Sequence, residues 1–273
     1  MTDSSIAFIG GGNMARSLIA GLVRQGTPAA DIHVAEPVAA LRDALAADFG
    51  VTPHATASEA AAQAGAWLLA VKPQVLREVC ATLQSLATAK RPLLVSIAAG
   101  ITSAQLDRWL GGNIAVVRAM PNTPALLGAG VTGLYATAQV TAAQRAQADR
   151  VLSSAGRTVW VDDEALMDSV TAVSGSGPAY VFLLAEAMEA AGIAQGLPPE
   201  AARTLVQQTL LGASRMLDEA GEAPAELRRR VTSPGGTTHA AIEAFQAGGF
   251  EPLVAKALAA AQARGRELSA AND

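Results

Sequence analysis

An α/β domain built on a doubly wound, mainly parallel sheet, followed by an all-α domain, is the fold class the sequence predicts. Three observations predict it. Up to about residue 162, short apolar runs alternate with longer segments of helical spacing. A glycine-rich loop leaves the first of these runs and opens the first helical segment. Beyond residue 163 the strand signal stops and only helical periodicity continues. Alternation of this kind is the pattern of a parallel sheet covered on both faces by helices.

Taken in order, residues 6–10, 32–35, 67–71, 93–97 and 115–119 are apolar runs that read as buried strands. Between them, Leu41, Leu45 and Phe49, and then Leu76, Val79 and Leu83, recur at helical spacing. Residues 131–135 and 158–161 read as late strands that extend one edge. Residues 180–194 form one long helical pattern, ended by Gly196 with Pro198 and Pro199 beyond it. Pro199 suits a first helical turn and starts another helix, with Leu205, Thr209, Gly212 and Met216 on one stripe. Further helices are expected over 237–247 and 251–268. The expected domains are therefore 1–162 and 163–273, with no repeat or low-complexity linker between them.

Composition excludes several classes of function. Hydrophobic residues make up 51% of the 273 and charged residues 16%, which rules out a disordered chain. Aromatic residues are only 4%, so Ala, Val and Leu must fill the core. A net charge of −4 argues against a nucleic-acid surface, and Arg228, Arg229 and Arg230, the one basic run, read as a solvated helix end. The single cysteine, Cys80, cannot form an intramolecular disulfide and reads as buried filler, which suits a reducing cytoplasm. Residues 1–5 lack the charged start and apolar stretch of a signal peptide. No uninterrupted apolar run reaches the ~18 residues a membrane helix requires. A cytoplasmic protein with no membrane, nucleic-acid or metal partner is the expectation.

Gly10-Gly11-Gly12-Asn13-Met14-Ala15 follows the first strand and opens the first helix, reading G-x-G-x-x-A. Gly10 permits a tight turn, Gly12 lets a pyrophosphate approach the backbone, and Ala15 keeps helix and strand close. The strand–turn–helix setting points to a Rossmann-type dinucleotide site at Gly10, Gly11, Gly12, Asn13 and Met14; an ordinary tight turn is the plainer alternative. Glu36 ends the second strand, where an acidic side chain bonds a ribose 2′-hydroxyl. Its plainer reading is a solvent-facing helix cap beside Pro37, and Arg42 is an alternative phosphate ligand. Ala70-Val71-Lys72-Pro73-Gln74 leaves the fourth strand, so Val71, Lys72 and Pro73 are expected beside the cofactor, although Pro73 also fits a first helical turn. Ala98, in the small-residue stretch 96–100, and Asn122 are expected contacts of the same kind. Late in the chain, Ser233-Pro234-Gly235-Gly236-Thr237-Thr238 offers backbone N–H groups and hydroxyls at a helix N terminus, which suits an anion. A plain capped turn is the alternative there.

Three segments carry a resemblance to a known family: Arg118-Ala119-Met120-Pro121-Asn122-Thr123-Pro124-Ala125, Ser174-Gly175-Ser176-Gly177-Pro178-Ala179-Tyr180, and Val231-Thr232-Ser233-Pro234-Gly235-Gly236-Thr237-Thr238. With the glycine loop and Ala70-Val71-Lys72-Pro73-Gln74, they resemble the pyrroline-5-carboxylate reductases over nearly the whole chain, in the expected order. The resemblance implies reduction of the cyclic imine Δ1-pyrroline-5-carboxylate to L-proline by hydride from NADPH or NADH. It implies an interlocked homodimer, assembled in some relatives into a decamer, whose active site combines one protomer's cofactor with helices of its partner. It also implies substrate contacts from Ser176, Ser233, Gly235, Gly236, Thr237 and Thr238, with the Thr238 hydroxyl nearest the imine nitrogen as the catalytic group. Three positions depart from the family pattern. His239 follows Thr238 and reads as an exposed first-turn histidine. Ala223 stands where many relatives carry His, beside Glu222, a candidate to face the substrate amine. Glu36 bears a charge at odds with the NADPH that the family generally favours. Two other functions stay open. A β-hydroxyacid dehydrogenase would place a lysine on the long helix, but residues 180–194 contain none and Lys256 is the only lysine beyond Lys90. A non-catalytic dinucleotide sensor would leave the loop at 233–238 without a purpose.

Overall fold

The structure, a computed structural model, describes residues 5–272. Eight strands form one sheet: β1 (Ile6–Ile9), β2 (Ile32–Ala35), β3 (Thr52–His54), β4 (Ala66–Leu69), β5 (Leu93–Ser96), β6 (Ala115–Met120), β7 (Gly130–Ala136) and β8 (Gly156–Trp160). Their order is β3-β2-β1-β4-β5-β6-β7-β8, and every pair is parallel except β6 with β7. The connecting helices are α1 (Asn13–Arg24), α2 (Ala39–Phe49), α3 (Ala57–Ala62), α4 (Pro73–Lys90), α5 (Ser103–Trp109) and α6 (Ala142–Leu152). The two late strands extend one edge of the sheet, as expected. β3 is the strand that has no apolar run to announce it. It is three residues long and contains Pro53, which an edge strand tolerates because one side of it pairs with nothing.

Both faces of the central strands are buried, and their period-2 alternation divides their side chains between two cores. Ile6 and Phe8 of β1 join Val34, Leu68 and Val95 under Leu18, Ile19 and Leu22 of α1. Ala7 and Ile9 join Trp67, Leu69 and Val116 under Leu76, Cys80 and Leu83 of α4. The Trp67 indole N–H, buried in that second core, donates to the carbonyls of Ala61 and Ala64. Small residues allow close approach on the first face: a Cβ at Gly21 would fall 2.1 Å from the Ser154 carbonyl oxygen.

By packing, the chain divides into two compact units at Ser176 and Gly177, and the stretch from Ala260 onward rejoins the first. The sheet ends close to the expected boundary at 162/163, and the packing of the first unit continues past it. After β8 the chain stays on the sheet: Glu164 accepts from the Ser103 N–H and hydroxyl and pairs with Arg118 of β6 at 2.7 Å. Helix α7 (Met167–Val170) continues there, and a π turn at Thr171–Gly175 closes the unit. Val170 packs so near Gly133 of β7 that any side chain at 133 would meet it. The returning segment is held by Gln262 to the Ser169 hydroxyl and by Gln105 to the Ser269 carbonyl.

The second unit is helical throughout. It holds α8 (Gly177–Ala194), α9 (Pro199–Glu219), α10 (Pro224–Arg230), α11 (Thr237–Ala247) and the start of α12 (Phe250–Ala271). Arg228, Arg229 and Arg230 form the exposed last turn of α10, where Arg229 pairs with Glu226. In the single chain α8 leaves apolar side chains uncovered, with Phe182 66% and Leu183 65% exposed. A cavity of about 520 Å³ opens in this unit among Leu184, Met188, Val206, Ile242, Phe245 and Phe250. Among the described residues, no helix is long and apolar enough to cross a membrane.

Candidate active site

In the first unit the chain changes direction between β1 and β4, the neighbours at which strand order reverses. The Gly10 N–H donates to the Ala35 carbonyl of β2, and the Ala70 N–H to the Ile9 carbonyl of β1. The loops that leave β1 and β4 therefore part over a crevice, the place where open α/β sheets bind ligands. Gly10 has φ +107°, and a Cβ there would lie 2.8 Å from the Ala70 carbonyl oxygen and 3.1 Å from Val71 Cγ1. Conformation and space both demand glycine. Gly11 is buried against Leu45, and its N–H donates to Glu36 Oε2 at 3.2 Å.

Gly12 is the N-cap of α1, with no side-chain cap and nothing within 4 Å of where its Cβ would stand. It is exposed together with Asn13, while Met14 packs against the core and Ala15 is buried. The first N–H groups of α1 thus face open space at the positive end of a helix dipole, a cradle that fits a pyrophosphate. Around this cradle, Lys72 is the exposed N-cap of α4 and Pro73 takes its first position. Ala98 is buried, and its N–H donates to the Ser96 hydroxyl at 3.4 Å.

Glu36 and Asn122 are both buried and hydrogen-bonded inside the unit. Glu36 is only 8% exposed and does not face solvent. Its Oε1 accepts from the Val38 N–H at 3.1 Å while Oε2 holds Gly11, so one carboxylate braces the start of α2 and the glycine loop together. Arg42 donates through Nη1 to the carbonyls of Glu36 and Pro37. Asn122 is likewise buried, and both ends of its amide are engaged inside the protein. Its Nδ2 donates to the Ser174 carbonyl at 3.2 Å, and its Oδ1 accepts from the Val131 N–H at 3.0 Å. Asn122 thereby ties the end of β6 to the π turn. Met120 also packs there, where a Cβ on Gly175 would fall 2.5 Å from its Cε. Ser176 follows, half-buried, its N–H bonded to the Thr171 carbonyl. The Arg118–Glu164 pair was not anticipated, although an arginine inside an apolar strand run is a signal that some acid must meet it.

In the second unit the expected anion loop precedes α11. Gly236 is the N-cap, again without a side-chain cap, and its N–H closes the turn on the Ser233 carbonyl at 3.0 Å. Gly235 has φ +72°, and Gly236 lies so near that carbonyl that a Cβ would be 3.1 Å away. Ser233 and Thr237 are exposed, and Thr238 is half-buried in the first turn. His239 pairs with Glu243 one turn along the helix at 3.3 Å. Glu222 pairs with Arg230. Among the described residues, no group of three or more His, Cys, Asp or Glu side chains could hold a metal.

Comparison with known proteins gives two family matches. Residues 164–268 match pyrroline-5-carboxylate reductase dimerisation, and residues 5–100 match NADP oxidoreductase, coenzyme F420-dependent. A pyrroline-5-carboxylate reductase of Pseudomonas aeruginosa is 55% identical over 98% of both chains. Among solved structures, a pyrroline-5-carboxylate reductase from Coxiella burnetii superposes with a TM-score of 0.94 at 40% identity, covering 97% of this chain and 98% of the other. The Plasmodium falciparum pyrroline carboxylate reductase with NADP bound gives 0.84 at 26% identity, over 97% and 98%.

Proposed function

The chain belongs to the pyrroline-5-carboxylate reductase family, and we propose that it reduces Δ1-pyrroline-5-carboxylate to L-proline with NAD(P)H through two glycine-led helix N termini. The observation that carries this reading is that α1 and α11 both begin at an N-cap glycine, Gly12 and Gly236, with no side chain capping either. Free N–H groups at a helix N terminus bind anions. The reaction needs two such sites, one for a dinucleotide pyrophosphate and one for a substrate carboxylate.

In the first unit, Gly10, Gly11, Gly12, Asn13 and Met14 hold the pyrophosphate, and Glu36 takes the adenosine ribose. Val71, Lys72, Pro73 and Ala98 line the crevice through their backbones, and Asn122 positions the turn that carries Ser176. In the second unit, Ser233, Gly235, Gly236 and Thr237 receive the carboxylate. Thr238 hydrogen-bonds the ring nitrogen through its hydroxyl, orienting the imine for attack. An ordinary threonine is a weak acid, so its contribution is position, and the nitrogen takes its proton from solvent. The bound nicotinamide supplies the hydride.

The helical unit makes the protein an oligomer. The apolar surface of α8 supports a homodimer, with a decamer of such dimers as the higher state. The lone thiol Cys80 suits a reducing cytoplasm. The test follows the loss of reduced-nicotinamide absorbance on adding pyrroline-5-carboxylate, with proline identified as the product. Proline formed in step with oxidation is expected. A folded protein that binds the dinucleotide yet forms no proline would overturn the reductase reading in favour of a dinucleotide sensor.

A further inference from the structure

We infer that Glu36 sets the dinucleotide preference of this chain, favouring NADH and disfavouring NADPH. The inference rests on the dinucleotide reading of the glycine loop. An acid at the end of the second strand bonds the ribose 2′-hydroxyl, whereas a 2′-phosphate needs a cation there. Sequence alone leaves a glutamate at this position free to swing into solvent and admit the phosphate. The structure removes that freedom. Glu36 is 8% exposed as a residue, and its carboxylate is held at both oxygens, by the Gly11 N–H at 3.2 Å and the Val38 N–H at 3.1 Å. It lies so close to the loop that a Cβ on Gly11 would be 3.2 Å from Oε2.

The neighbouring cation does not compensate. Arg42 directs its Nη1 to two carbonyl oxygens, those of Glu36 and Pro37, at 2.8 and 2.7 Å. These bonds hold the guanidinium at the backbone of the β2–α2 turn. A 2′-phosphate carries nearly two negative charges at neutral pH. Brought against a fixed, part-desolvated carboxylate, it is repelled far more strongly than it would be by a mobile side chain in water. A ribose hydroxyl meets the same oxygens as a hydrogen-bond donor.

The experiment titrates the full chain with NADH and with NADPH by calorimetry, so that affinity is read independently of turnover, and repeats both with E36Q and E36S. Glutamine keeps the size and one acceptor while removing the charge; serine removes both. The wild-type protein should bind NADH about tenfold or more tightly than NADPH, and E36Q should bring the two within about threefold, chiefly by improving NADPH. Equal or tighter binding of NADPH by the wild type overturns the inference, whatever becomes of the variants. If R42Q then abolishes that binding, Arg42 is the phosphate ligand. A wild-type preference for NADH that both variants retain also overturns it, because the discrimination then lies elsewhere. If neither dinucleotide binds, the dinucleotide reading itself fails, a result distinct from the others.

Discussion

The Thr238 hydroxyl is one heavy atom in the first turn of α11, and its proposed work is positional. Thr238→Ala should leave dinucleotide affinity unchanged and lower turnover of pyrroline-5-carboxylate by roughly 10–10³-fold, the range one positioned hydrogen bond supplies. Steady-state rates and a dinucleotide titration on the same preparation check it, and an undiminished kcat would remove Thr238 from the mechanism. Cys80 marks the opposite kind of residue. Burial pushes its thiol up to about 12 from the ordinary value near 9. Thiolate-directed reagents should therefore leave the native protein unlabelled and react once it is unfolded. The same burial makes the thiol a liability in alkali. Between pH 9 and 12 the unfolded chain releases a proton that the folded chain keeps, so its contribution to stability falls as pH rises. Denaturant melts of wild type and Cys80→Ala across that window should show the shallower alkaline decline in the variant.

At the scale of elements, the feature that most shapes the site is the join between β6, β7 and the π turn. Asn122 makes it, and Asn122→Ala would leave the half-buried Val131 N–H and the Ser174 carbonyl without their partner. Loss of about 1–3 kcal/mol in a denaturant melt is expected, the usual cost of such groups. Because the turn leads to Ser176, KM for the imine should rise while dinucleotide affinity holds. The helices were legible to different degrees. Thr56, Thr102 and Thr141 each cap a helix in a full capping box, with Glu59, Gln105 and Gln144 three residues on. That signature announces α3, α5 and α6 in sequence, where apolar periodicity over six to eleven residues is too short to do so. β3 had no such signal, since three residues around a proline carry no period.

For the whole molecule, the apolar surface of the helical unit is the feature that one chain cannot satisfy. α8 is apolar over most of its length, with Glu186 and Glu189 its only charged residues, yet much of it is uncovered in the single chain. Phe182→Asp should therefore convert the oligomer to a smaller species while the sheet unit stays folded and binds dinucleotide. Light scattering after gel filtration reads the mass; an unchanged mass would place the dimer contact on another face.

The sequence by itself determined the doubly wound sheet, the glycine loop at its first turn, the glycine-rich turn before α11 and the helical second half. These are local or periodic properties. Strands buried on both faces read as continuous apolar runs, and glycine-capped helix N termini are written in consecutive glycines. Only the tertiary structure decided that Glu36 is buried and pinned, that Asn122 is a brace, that Glu222 belongs to Arg230, and that the first unit extends to Ser176 and reclaims the end of α12. Each of these depends on a partner that the chain path brings near, 25 residues away for Glu36 and Gly11 and 52 for Asn122 and Ser174. A polar side chain declares what it can bond, but which group it meets is settled by the packing of the elements that carry them.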